Sequence, residues 1–133
     1  MPAPGSDAFS YAIVRVVPSV ERGERLNVGV VLFCRQRGFL GARVALDAER
    51  LRALSPETDA GAVRRHLEGI VRVAEGDPEA GPIAALPQSE RFGWLSAPAS
   101  TIVQPSAVHT GLTADPAAEL ERLFGMLVDR QPG

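Results

Sequence analysis

Two polar segments hold the side chains best suited to chemistry. In Ser106-Ala107-Val108-His109-Thr110-Gly111 a hydroxyl, an imidazole and a second hydroxyl lie close together in one stretch. A serine beside a histidine becomes a nucleophile when a third group, usually a carboxylate, orients the imidazole. Glu21, Glu24, Glu90 or Asp115 could supply that carboxylate only if the fold brought it near. The competing reading is that these side chains satisfy backbone groups in a turn, as hydroxyls in loops commonly do.

The second segment is Val20-Glu21-Arg22-Gly23-Glu24-Arg25-Leu26-Asn27, where charges alternate in sign around a glycine. It reads either as a recognition loop held between buried strands or as a solvated loop whose ion pairs contribute about 1 kcal/mol or less each. Asn27 opens the strand that follows and is expected to hydrogen-bond the loop. Arg15 sits in an apolar run, so a carboxylate partner, Glu21 or Glu24, is expected, because an isolated buried charge is costly. Arg91 and Trp94 complete the candidates for binding. Arg15, Arg22, Arg91 and His109 would suit a phosphate or carboxylate, since the guanidinium fork donates to such groups in pairs. The two segments are expected to meet, with Arg22 or Glu24 near His109 or Ser106.

Other reactive residues have bland readings. Cys34 is the only cysteine, which rules out an intrachain disulfide and a cysteine-built zinc site. It lies in Val30-Val31-Leu32-Phe33-Cys34, where a free thiol packs as a small hydrophobe. His66 follows Arg64 and Arg65 on the polar side of a helix. No phosphate-loop, nucleophile-elbow or zinc-protease motif occurs. No cofactor and no metal is expected, and whether the protein is an enzyme stays open.

The elements that must position these residues follow from periodicity. Phe9 to Val17 reads as a central strand, apolar on both faces apart from Arg15. Leu26 to Cys34 reads as a second strand with Gly29 at a bulge or close-packing point. Arg35 to Gly38 is a hairpin turn and Phe39 to Leu46 a third strand. Asp47 caps a short helix over Ala48 to Leu54, and a longer one runs from Asp59 to Glu75, closed by Gly76. Asp77 to Gln88 reads as a loop, Phe92 to Ser96 and Ser100 to Gln104 as two short strands, and Gln104 to Thr113 as irregular. The last helix starts with Asp115 as N-cap and Pro116 in first position, and places Leu120, Leu123, Phe124, Leu127 and Val128 on one face. The sum is an α+β fold, a small mostly antiparallel sheet packed against two or three helices, in the order β-β-β-α-α-β-β-α. Residues 1–7 are expected to be a flexible tail and 8–130 a single domain.

Bulk properties agree. The chain has 133 residues, 45% hydrophobic and 23% charged, with a net charge of −2, ordinary for one globular domain. All basic residues are arginine. With no overall basic field, nucleic-acid binding has little support. No apolar stretch approaches a membrane span, and the N-terminus lacks the pattern of a secretory signal, so a cytoplasmic protein is expected.

The same segments carry a resemblance. Tyr11-Ala12-Ile13-Val14-Arg15-Val16-Val17-Pro18, then Glu21-Arg22-Gly23-Glu24 and Leu26-Asn27-Val28-Gly29-Val30-Val31-Leu32-Phe33, resemble the opening of the bacterial Domain of Unknown Function 3037 family. Glu90-Arg91-Phe92-Gly93-Trp94-Leu95-Ser96-Ala97-Pro98 and the stretch from Gln104 to Gly111 resemble it too, with Ala107 where the pattern has proline. The resemblance covers about residues 8–128 and implies no assigned activity. It implies a gene neighbour of HipA-like kinase fold, and so a role as partner or regulator of another protein. Binding to a protein is therefore the leading expectation, and an enzyme or ligand-binding domain for an anionic substrate the alternative.

Overall fold

The computed structural model describes residues 5–19, 21–99 and 101–131. Of the expected tail, residues 1–4 lie outside the described residues. Gly5 and Asp7 are tied down, since Arg37 donates to the Gly5 carbonyl and, at 2.8 Å, to the Asp7 carboxylate. Asp7 already belongs to the first strand.

Strand β1 (Asp7–Ser19) pairs antiparallel with β2 (Glu24–Cys34), which pairs antiparallel with β3 (Phe39–Val44). The long β-branched runs of β1 and β2 suit strands covered on both faces. Asp47 caps α1 (Ala48–Leu54) by accepting from Glu49 and Arg50. Asp59 caps α2 (Ala60–Glu75) in the same way through Gly61 and Ala62. Gly76 ends α2 with φ 74, left-handed backbone that costs glycine nothing.

Three expectations need correction. Phe92 to Ser96 is not a strand but the second half of α3 (Gln88–Ser96). Phe92 and Leu95, three residues apart, both pack on the core over the sheet, and that burial overrides the β preference of the aromatic run. Gln104 to Thr113 is not irregular: β4 (Val103–Pro105) and β5 (His109–Thr113) both pair with β1 along one edge. An edge strand with a solvated face lacks the apolar alternation that marks a strand in sequence. The fold is α+β with an antiparallel sheet, as expected; among the described residues the order is β-β-β-α-α-α-β-β-α, with four helices rather than two or three on five strands. The last helix, α4 (Pro116–Phe124), continues as one wide π turn, Gly125–Asp129.

The sheet separates two cores. On one face Val14, Val16, Val28 and Val31 pack against Leu51, Val63, Leu67 and Phe92 from α1, α2 and α3. On the other, Phe9, Val30, Leu32 and Cys34 pack against Leu120, Leu123, Phe124 and Val128 of α4 and its extension. Gly29 is a close-packing point, since a Cβ there would lie 2.8 Å from the Val44 side chain. A bulge adjoins it, because Val14 faces Gly29 while Arg15 faces Asn27, which leaves Val28 as the extra residue.

Candidate functional site

The two segments singled out by their chemistry do not meet. His109 pairs with Tyr11, whereas the Glu21–Gly23 turn follows Ser19, eight residues further along β1. At about 3.3 Å per residue that separates them by roughly 26 Å. One site built from both is overturned by the length of the strand between them.

Ser106 and His109 each have a local occupation. The Ser106 hydroxyl, buried, accepts the Ile13 amide at 2.8 Å and donates to the Ala107 carbonyl at 2.8 Å. It thus satisfies β1 in the gap between β4 and β5, where the ladder is interrupted. His109 stacks on Tyr11, ring centroids 5.2 Å apart, and is exposed, as is Thr110. Among the described residues no side-chain hydrogen bond or ion pair holds the imidazole, and no carboxylate orients it. A serine–histidine nucleophile has no support in this geometry.

The charged residues are dispersed as well. Arg22 is exposed, with Nε 3.2 Å from Glu24 Oε1, and Glu21 is exposed. Among the described residues Arg15 does not have the expected carboxylate partner: its Nε is buried without a hydrogen bond there, and no ion pair forms with Glu21 or Glu24. Burial, and secondly the charge of Arg25, lower its pKa. Asn27 serves the C-terminus and not the loop, for its Nδ2 donates to the Leu127 carbonyl at 2.9 Å. Gln131 closes that clamp by accepting the Asn27 amide and donating to the Asn27 and Val128 carbonyls. Arg91 donates to the carbonyls of Leu86, Val73 and Ala74 at 2.8–3.1 Å, and so caps the end of α2. Its guanidinium is spent on the fold.

Trp94 differs from the rest. It projects from the outer side of α3 and is 61% exposed, with Ile102 nearby in the chain at 37%. Beside it lies an apolar cleft of about 330 Å³, floored by Val14, Ile70, Leu95 and Val103 and walled by Trp94 and Pro98. Two further depressions adjoin this cleft along α2, one of about 370 Å³ beside Arg65 and Arg72, one of about 470 Å³ beside Glu57 and Asp59. His66 lines all three. Together they form a groove along the outer flank of α2, closed on the other side by the end of α3 and by β4.

Of this groove, sequence reasoning named only Trp94. His66 is exposed, as its place on the polar side of α2 implies, and nothing in the sequence marks it as the middle of a groove. Ile70 is half-buried and packs against the core over the sheet. The one available signal was a large aromatic two residues from Phe92 in a helix, which must point away from the core that Phe92 enters.

No group of histidine, cysteine, aspartate or glutamate able to hold a metal occurs among the described residues. No helix among them is long and apolar enough to cross a membrane. A family model described as a protein of unknown function (DUF3037) matches residues 11–128. No curated protein and no solved structure matches the chain.

Proposed function

The chain belongs to the DUF3037 family of proteins of unknown function, and we propose that it is a binding or regulatory protein that docks another protein in the groove between α2, α3 and β4. The observation that carries this reading is Trp94, a large apolar side chain 61% exposed at the wall of an apolar cleft. Tryptophans so placed are prominent among residues that dominate protein interfaces, and a grouped apolar patch on a surface marks an interaction site more often than scattered single residues do. The anionic-substrate alternative has less support, because Arg15, Arg22, Arg91 and His109 do not converge on one concave site and Arg91 is consumed by the fold. The family resemblance makes a HipA-like kinase-fold protein the first partner to try.

The test is co-purification from native lysate, scored for a stoichiometric protein, with Trp94→Ala as the control. The expected outcome is a partner retained by the parent chain and lost by the variant, while both melt at the same temperature. A partner retained equally by the variant would place the interface elsewhere.

A further inference from the structure

Among the described residues the sheet has three edge strands, and they differ in how open they are to further pairing. β3 carries Arg43, whose Nε lies 3.3 Å from the Glu121 carboxylate, and a charged side chain on an edge discourages another strand. β4 is three residues long and ends in Pro105, which has no N–H to offer. β5 has neither protection: from Ser106 to Ala114 the chain holds no acidic residue, no arginine and no proline. The bonds of Ile13 show which groups of β5 are left over. Ile13 donates its N–H to the Ser106 hydroxyl and accepts the Ser106 N–H, so both its backbone groups face the side of β1 that holds β4 and β5. In an antiparallel ladder this direction alternates along a strand. Tyr11, Phe9 and Asp7 therefore face β5, and their partners His109, Gly111 and Thr113 face back. Thr110 and Leu112 turn their N–H and C=O groups away from β1, to a side where no described strand pairs. Val108, just before the strand, and Leu112 are also 44% and 54% exposed.

We infer that this edge pairs with the same edge of a second copy of the chain, antiparallel about a two-fold axis at Thr110. A two-fold contact needs a patch complementary to itself, and this one is. Val108, Thr110 and Leu112, at every second position, read alike from either end: apolar, hydroxyl, apolar. Laid against itself, the stretch sets Val108 of each copy opposite Leu112 of the other, and Thr110 opposite Thr110. Apolar pairs and threonine pairs directly across a seam stabilise it, and both exposed apolar side chains leave the water together. The outward N–H and C=O groups of Thr110 and Leu112 gain partners in the same step. No like charges meet, because the stretch holds no acidic residue and no arginine. The inference is independent of the groove, since Val108, Thr110 and Leu112 line none of its depressions. The seam is short against the roughly 20–30 residues a side of a standard interface, so the expected dimer is weak and reversible.

Sedimentation velocity tests this over a concentration series reaching about 1 mM, where even a weak interface shows. The parent chain is expected to pass reversibly from monomer to dimer as concentration rises. Thr110→Arg and Thr110→Glu each bring like charges together on the axis, and each is expected to weaken association by about tenfold or more. Thr110 is exposed, so both variants should melt at the parent's temperature when dilute, which separates lost pairing from lost fold. An equimolar mixture of the two variants is expected to regain dimers, since opposite charges then face each other. A parent chain that stays monomeric throughout would overturn the inference and leave the edge to a strand of another protein. A dimer formed equally well by both charged variants would place the contact elsewhere and overturn it too. Loss in both variants with no recovery in the mixture would overturn the register about Thr110.

Discussion

The two faces of the sheet are covered in different ways. On one, α4 lays Leu120, Leu123, Phe124 and Val128 directly over Phe9, Val30, Leu32 and Cys34, all buried. On the other, α2 and α3 cover β2 and β3 but leave the sheet margin at Val14, Val103 and Pro105 as the floor of an open cleft. The contrast teaches where apolar side chains stabilise the fold and where they are left over. A stripe that meets a complementary stripe is removed from water and holds the fold, whereas Trp94 remains at a wall with nothing over it.

Substitutions can break or sharpen that contrast. The largest effect is expected on the closed face. Leu123→Ala removes a side chain 2% exposed, and such truncations cost about 2–5 kcal/mol, a large share of the roughly 5–15 kcal/mol that holds a domain together. Its cooperative melting temperature should fall while the surviving folded fraction still binds the partner. If instead it melted like the parent and lost the partner, α4 would be the interaction surface and the contrast would be reversed.

Next comes the seam between the edge strands. Ser106→Ala leaves the Ile13 amide without its acceptor, and an orphaned buried donor costs about 1–3 kcal/mol. Denaturant unfolding should show that loss with an unchanged slope. Were Ser106 catalytic, the variant would keep its stability and lose an activity, the opposite pattern.

Smaller still is the expected effect of Arg15→Met. With no carboxylate partner and an unsatisfied Nε among the described residues, the arginine contributes little, and the change should fall within about 0.5 kcal/mol of the parent or stabilise it slightly. A loss of several kcal/mol on chemical denaturation would show that Arg15 has a partner after all. The least effect on stability is expected at the open face, where Trp94→Ala removes contacts mainly with water and should leave the melting temperature unchanged.

Much of the scaffold was legible in the chain. Asp47 and Asp115 each cap the helix they were expected to cap, because a cap is a bond between neighbours in sequence. The stripe from Leu120 to Val128 and the β-branched runs of β1 and β2 announced buried elements for the same local reason. The family was legible too, and its model matches residues 11–128. Tertiary structure decided the rest. Burial of Phe92 and Leu95 turned an aromatic run into a helix, and pairing to β1 made a strand of His109–Thr113, whose own residues carry no strand period. Above all, tertiary structure determined that Ser106 and His109 lie far from the Glu21–Gly23 turn, that Arg91 caps a helix, and that His66, Ile70 and Trp94 line one groove. Such proximities depend on where a chain returns to itself, and no spacing along the sequence encodes that.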